Sequence, residues 1–255
     1  MTSKNQGSLI NELVPPEKMI DWVGGGGTSW FKQVGNEFFQ YFVELCDLKP
    51  NEKVLDVGCG CGRIAVPLTE YLEDGGSYEG FDITTDEVNW CRENISTKYP
   101  NFRFHRANIY SKHYNPNGKV TASEYKFPYE DMSFDFVFLT SVFTHILPQE
   151  LENYLSEIVR VLKRGGKCLI SFFLLNPESL KYSNENLGIL DFKYDFEYYR
   201  LLNPDVPEFA VAYKESFIQS LYEKHQLKIM EPIRYGSWCG RKEFLSCQDI
   251  IIAVK

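Results

Sequence analysis

This sequence has no long apolar run. The longest, residues 168–175, is interrupted by Ser171 and falls far short of the ~20 residues a membrane-spanning helix needs. The apolar segment of a secretory leader is also missing, because residues 1–18 are polar and carry Pro15 and Pro16. A cytoplasmic protein with no membrane partner is the expectation. Nor is there a basic excess. Against 27 Lys and Arg stand 35 Asp and Glu, a net charge of −8 that disfavours nucleic-acid phosphates as partners. Cysteine pairing is absent too. The seven cysteines (Cys46, Cys59, Cys61, Cys91, Cys168, Cys239 and Cys247) are odd in number and scattered, which points to reduced thiols rather than a disulfide framework. Cys59 and Cys61 form a C-x-C inside a glycine loop with no second pair at matching spacing, so no metal site is expected. Internal repeats and low-complexity tracts are lacking, and nothing in the sequence specifies an oligomeric state.

What is present is a chain of ordinary globular composition, 44% hydrophobic and 24% charged, with aromatics raised to 15%. Its 255 residues make one large domain with an elaboration. The run Gly24-Gly25-Gly26-Gly27 disfavours regular structure and reads as a flexible arm or as a hinge. Residues 1–34 are therefore expected to be an N-terminal arm or lid. Apolar residues from Val34 to Cys46 recur at helical spacing, predicting a helix over 32–48. A strand over 53–57 runs into Gly58-Cys59-Gly60-Cys61-Gly62, followed by a helix over 63–72 and a turn at 74–76. Next come a strand 77–82 ending in Asp82, a helix from Thr85 or Asp86 to Lys98, and strands at 102–106 and 134–139. A helix over 148–162 ends at Lys163-Arg164-Gly165-Gly166, and a strand over 167–175 follows. Alternating strands and helices imply a parallel sheet covered on both faces.

After residue 175 the rhythm breaks. Residues 191–198 alternate charged and aromatic, the period-2 pattern of a strand with one aromatic face. Residues 176–214 read as an inserted aromatic-rich cap within a main domain spanning 35–255. A helix over 215–225 and strands over 228–235 and 247–254 then close the sheet with an antiparallel edge.

The chemistry concentrates in Asp56-Val57-Gly58-Cys59-Gly60-Cys61-Gly62 and in Asp82. A strand–glycine turn–helix unit admits a ligand close to the backbone, and a carboxylate ending the next strand suits ribose hydroxyls. The dinucleotide fingerprint requires G-x-G-x-x-G, whereas here Arg63 stands where its third glycine belongs. Asp56 would repel a pyrophosphate and favour a ligand with a cationic centre.

The run Val54-Leu55-Asp56-Val57-Gly58-Cys59-Gly60-Cys61-Gly62-Arg63 resembles the first motif of class I S-adenosylmethionine-dependent methyltransferases. Tyr78-Glu79-Gly80-Phe81-Asp82-Ile83, Asn108-Ile109, the segment from Phe134 to Ser141 and the segment from Tyr154 to Lys167 agree with further motifs of that family in order and spacing. The resemblance implies a doubly wound α/β fold with a mostly parallel seven-stranded sheet and an antiparallel last strand. It implies S-adenosylmethionine as cofactor, held by Asp56, Gly58, Cys59, Gly60, Asp82, Ile83, Asn108, Ile109 and Thr140. Asn108 stands where the family often has Asp.

The expected reaction is methyl transfer to a small-molecule acceptor, at oxygen. The tetrapeptide of DNA amino-methyltransferases is missing, since the position reads Leu139-Thr140-Ser141-Val142. His145, just beyond the fourth strand, is the candidate base, with an ordinary pKa of about 6.5; the alternative is a bracing histidine. His105, His113 and His225 receive no role. Tyr194 on the aromatic strand, with Trp238 and Arg241 in the closing hairpin, are candidate acceptor contacts. The aromatic stripe is either a pocket wall or plain scaffold. A non-catalytic cofactor-binding module and a methyltransferase acting on a protein remain the alternatives.

Overall fold

The computed structural model of the chain describes residues 13–73 and 75–255. The expectations for residues 1–12 of the arm and for Asp74 of the 74–76 turn lie outside the described residues. The chain divides into two compact units, one up to Ala107 and one from Asn108 onward.

In the first unit, α1 (Glu17–Trp22) precedes α2 (Gly27–Glu44). The second helix thus starts before the expected 32, and the 34/35 boundary falls inside it. Strand β1 (Lys53–Val57) buries every residue after Lys53, as a strand covered on both faces must. It pairs in parallel with β2 (Ser77–Asp82), which pairs in parallel with β3 (Phe102–Arg106). The helix expected over 63–72 shrinks to α3 (Ala65–Leu68) with flanking turns. Helix α4 (Thr85–Cys91) runs on as a wider turn over Arg92–Ser96. Its cap position is Thr84, whose hydroxyl donates to Asp82 (2.8 Å) instead of capping the helix.

The second unit opens with an irregular stretch and β4 (Phe134–Leu139). A short 3-10 turn (Phe143–His145) then leads to α5 (Pro148–Val161). The next strand, β5 (Leu162–Phe172), starts earlier than expected. Phe134 pairs with Leu162 but Phe136 with Lys167, so the Lys163-Arg164-Gly165-Gly166 segment bulges from a strand rather than ending a helix. The end of the strand expected over 167–175 is a separate strand, β6 (Leu174–Leu175), and α6 (Pro177–Asn184) opens the expected insertion. There β7 (Tyr194–Asp195), β8 (Tyr199–Leu201) and β9 (Val211–Lys214) join β6 in a separate four-stranded sheet, β6-β9-β8-β7. The single aromatic strand expected over 191–198 is thus broken. Phe192 is buried with Phe173 and Trp238, whereas Tyr194, Phe196 and Tyr198 are exposed.

Helix α7 (Glu215–Lys224) returns the chain to the main sheet, which ends with β10 (Lys228–Ile229) and β11 (Asp249–Val254). Strand β11 pairs antiparallel with both β10 and β5. The main sheet has seven strands in the order β10-β11-β5-β4-β1-β2-β3, mostly parallel with its last strands antiparallel. Among the described residues, no helix is long and apolar enough to cross a membrane.

Candidate active site

The first unit holds the glycine turn, Asp56 and Asp82. Gly58 and Gly60 take positive φ angles of 88° and 48°, a reversal that disfavours side chains and turns the chain sharply after β1. The turn is tied to the next strand: Gly58 N and Cys59 N both donate to Phe81 O (2.8 and 3.1 Å), and Gly62 N donates to Cys59 O (2.9 Å). Gly60 N donates to Asp82 Oδ2 (2.8 Å). Four amides of the turn are therefore already used inside the fold, so the turn does not offer a phosphate the ring of free N–H groups that a pyrophosphate cradle needs.

Asp56 lies behind this turn and is 2% exposed. Its Oδ2 accepts from Tyr78 Oη (2.5 Å), while its Oδ1 is buried with no hydrogen-bond partner. Burial, with a smaller contribution from nearby Asp82, pushes the Asp56 carboxyl up to about 8. The register explains the Tyr78 contact. Val54 pairs with Tyr78 and Asp56 with Gly80, so Tyr78 and Asp56 are diagonal neighbours on one face of a parallel ladder. A Cβ at Gly80 would stand 2.9 Å from Tyr78 Cε1 and 3.0 Å from its hydroxyl. The missing side chain is what lets the phenol lie across the strand to reach Asp56.

Asp82 is half-buried, and its carboxylate is oriented by three donors. Besides Gly60 N, these are Thr84 N (2.9 Å) and Thr84 Oγ1 (2.8 Å), both to Oδ1. A carboxylate has about four lone-pair sites, which leaves room for a hydroxyl. An unpartnered buried oxygen on Asp56 and a fixed, still-accepting carboxylate on Asp82 fit a ligand bearing an ammonium group and ribose hydroxyls. Ile83 follows Asp82 and is partly buried. Cys59 and Cys61 are buried, and burial raises both thiols, so they pack as small apolar groups.

Arg63, in the place of a third glycine, has a different task. Its Nη1 donates to Val23 O (2.7 Å), fastening the end of α1 to the turn. Cys61 also packs with Ile20 and Phe31 there, beside Met19 and Val23. Nothing in the local motif announced this contact, because its partner lies 40 residues away.

The second unit carries the other candidate residues. Asn108 is exposed, and its carbonyl accepts from Lys119 N and Val120 N. Ile109 is buried and bridges Val120. Thr140 directly follows β4 and is 8% exposed. The next residue, Ser141, takes φ 60°, an uncommon conformation for a non-glycine residue. It is pinned by Ser171 Oγ, which accepts from Ser141 N (2.8 Å), and by Gln248 Oε1, which accepts from both serine hydroxyls. That turn launches the segment bearing His145.

The His145 ring is partly buried, and its Nδ1 lies 3.0 Å from Glu208 O. A carbonyl only accepts, so Nδ1 carries the proton and Nε2 keeps its lone pair. Burial lowers the imidazole below its ordinary range, so the ring is neutral at pH 7. Tyr114 meets it edge-on at 5.6 Å, and His113 packs against both Tyr114 and Phe209. His113, Tyr114 and Glu208 escaped the sequence reading because only the tertiary fold brings them to residue 145. His105 pairs instead with Glu79 (2.8 Å).

The three proposed acceptor contacts do not converge in this way. Tyr194 is 46% exposed on a two-residue strand. Trp238 is 1% exposed, packs against Phe173 and Phe192, and donates through Nε1 to Asp249 (2.7 Å). Arg241 is 6% exposed and spends its guanidinium on Glu178, Asn176 and Asp249, with its face over Tyr235. Trp238 and Arg241 therefore brace the closing hairpin around buried Asp249 rather than presenting a ring and a cation to a ligand. Arg241→Ala is expected to cost about 2–3 kcal/mol of stability in a denaturant titration. That is less than the ~3–5 kcal/mol of a wholly orphaned buried charge, since Asp249 keeps its bonds from Leu174 N, Gly236 N and Trp238. An unchanged midpoint would return Arg241 to the acceptor contacts.

Comparison with known proteins follows the same line. A family model described as "Methyltransferase domain" matches residues 55–170. Phosphoethanolamine N-methyltransferase 1 of Arabidopsis thaliana is 28% identical over 153 residues, covering 60% of this chain and 27% of that protein. A sterol 24-C-methyltransferase of Gibberella zeae is 30% identical over 160 residues, covering 62% and 36%. The chain thus spans well under half the length of these relatives. In overall fold it is similar to the Burkholderia thailandensis 1,6-didemethyltoxoflavin-N1-methyltransferase, solved with bound 1,6-didemethyltoxoflavin and S-adenosylhomocysteine. That likeness has a TM-score of 0.57 at 16% identity and covers 98% of this chain and 88% of that one.

Proposed function

We propose that this chain is a class I methyltransferase that transfers a methyl group from S-adenosylmethionine to a small-molecule acceptor; the match of residues 55–170 to a methyltransferase-domain model supports the reading. The observation that carries the reading is the pairing of a buried carboxyl oxygen without a partner, Asp56 Oδ1, with a turn whose amides are already satisfied. That combination disfavours a pyrophosphate and suits an amino-acid-linked adenosine. Asp56 would face its ammonium group and Asp82 its ribose, with Gly58, Cys59, Gly60 and Ile83 lining the approach. Asn108, Ile109 and Thr140 are assigned to the same cofactor on the family motifs. When bound, S-adenosylmethionine supplies a methyl group already activated on a sulfonium, so the protein contributes chiefly positioning and a proton acceptor.

His145 is that acceptor: its bare Nε2 takes the proton that a hydroxyl must lose as its oxygen acquires the methyl group. The relatives named above act on nitrogen and carbon, so oxygen is a proposal about this chain alone. Segment α1, fastened by Arg63, serves as a lid over the turn. The cytoplasm is the proposed setting, with neither nucleic acid nor membrane as partner.

Isothermal titration with S-adenosylmethionine and with NAD tests the reading. Micromolar binding of the first and none of the second is expected; the reverse would make the chain a dehydrogenase-type binder. Incubation with methyl-labelled cofactor and a metabolite extract then identifies the acceptor, and binding without any labelled product would point to a non-catalytic module. Asp82→Ala is expected to weaken cofactor binding on the order of ten- to a hundredfold, about 1.5–3 kcal/mol, the range for a hydrogen bond to a charged group. Thr84→Val, which removes one of the three donors to Asp82, should cost far less in the same titration. Unchanged affinity in Asp82→Ala would put the ribose elsewhere.

A further inference from the structure

Resting on the reading of His145 as proton acceptor, we infer that Glu208 is a positioning residue: its carbonyl holds the imidazole, and its carboxylate fixes that carbonyl in space. Glu208 lies in a 3-10 turn of only three residues, Pro207–Phe209, too short to hold its own geometry. What holds it is the carboxylate. Ser111 Oγ donates to Oε2, Lys112 N donates to Oε1 (3.1 Å) and His113 N donates to Oε2 (3.2 Å). Lys112 Nζ adds a bond to Asp205 O (3.0 Å). Three donors from one turn converge on one side chain almost a hundred residues away, and among side chains only a carboxylate has enough acceptor sites for all three. The same residue's carbonyl oxygen then receives His145 Nδ1–H.

The other wall of the His145 ring is braced independently. Tyr213 Oη donates to Ile146 O, and His145 N donates to Val142 O (2.9 Å). With the 3-10 turn Phe143–His145 held from that side, the ring's rotation and tautomer are left to the 207–209 turn, through Glu208 O and the adjoining backbone of Phe209. This separates two jobs. The backbone around residue 145 is set by its own segment and by β9, whereas the choice of which nitrogen carries the proton is set from Pro207–Phe209.

The charged groups that act on the ring are His113 and Glu208, and Glu150 acts in turn on Glu208. His113 and Tyr114 come from the turn after Ser111 and the Glu208 carboxylate from its 3-10 turn, while Glu150 of α5 faces Glu208 and accepts from Leu147 N (2.8 Å). Of these only Glu208 supplies both an anchor and the bond to the ring. Without its side chain the turn at 207–209 keeps only the Lys112–Asp205 bond and the His113–Phe209 ring contact as ties to 111–113, and the loosened carbonyl lets the imidazole populate the mixture of neutral tautomers that an unconstrained histidine shows.

Histidine-labelled protein observed by long-range 1H–15N correlation NMR decides the matter, with no acceptor or cofactor present. In the wild-type chain at pH 7.5, His145 is expected as the Nδ1–H tautomer with a bare Nε2. In Glu208→Ala the signals should move to a mixture containing the Nε2–H form, with the titration midpoint shifted toward the ordinary value. Ser111→Ala removes one donor without touching Glu208 and provides the same readout, as a smaller shift, if the first variant does not fold. A wild-type Nε2–H tautomer, or an Nδ1–H tautomer unmoved in the variants, overturns the inference. Titrating the wild type with S-adenosylhomocysteine keeps the two readings apart. Absence of binding removes the transferase reading while leaving the tautomer result intact, whereas binding with an unmoved tautomer removes only the role of Glu208.

Discussion

Changing Asp56 to Asn is expected to make the protein more stable in alkaline solution and to flatten its stability between pH 5 and pH 9. The Asp56 carboxyl stands at about 8 in the folded chain against an ordinary 3.8, because burial opposes its charge. The folded state therefore holds a proton that the unfolded state releases. Its stabilising contribution is complete below pH ~4 and is lost as pH rises through 8. The difference amounts to something on the order of 5 kcal/mol across that window. Asparagine is a neutral isostere whose carbonyl still accepts from Tyr78, so the variant escapes the loss. Thermal melts of both proteins at pH 5, 6, 7, 8 and 9 measure it: nearly equal midpoints at pH 5, and a gap of roughly 10 °C at pH 9. Parallel curves would mean that Asp56 is already ionised at neutral pH. The same substitution removes the carboxyl group proposed to ionise against the ligand's ammonium, so cofactor affinity should fall while stability rises. A purely structural Asp56 would show no such opposition.

His145→Ala is expected to lower turnover by about 10²–10⁴-fold, the usual yield of a positioned proton acceptor, with cofactor affinity unchanged. With the acceptor found by labelling, the pH profile adds a second signature. Burial lowers the imidazole, so wild-type activity should climb with pH through a midpoint below the ordinary histidine value. The variant should lose that inflection. An alanine variant with normal turnover would leave the ring only its packing against Tyr114 and its bond to Glu208.

Much of this was legible along the chain. The chain's pattern located β1, β2, β3 and β4 almost to the residue: β1 and β4 are nearly continuous apolar runs buried on both faces, β3 alternates buried Phe102 and Phe104 with exposed Arg103 and His105, and β2 is bounded by a glycine turn and Asp82. The glycine turn and Asp82 were visible because they are contiguous, and the conformation they require restricts which residues fit. Helix ends were less legible: the local sequence did not reveal that the segment after Gly62 forms only Ala65–Leu68, or that Thr84 would give its hydroxyl to Asp82. The Lys163–Gly166 stretch read as a helix stop because glycines punctuate both turns and bulges, and only the pairing of β4 with β5 chose between them.

By itself the sequence determined the layered α/β architecture, the strand that carries Asp56 and the turn beside it, since these depend on neighbours a few residues apart. Tertiary structure alone decided which polar groups share a partner. It sent Trp238 and Arg241 inward to Asp249, laid Tyr78 across Gly80 onto Asp56, and brought Glu208 to His145. The physical reason is that a buried polar atom must find its hydrogen bond wherever the fold supplies one, and that place is set by packing between distant segments, which leaves no local trace in the order of residues.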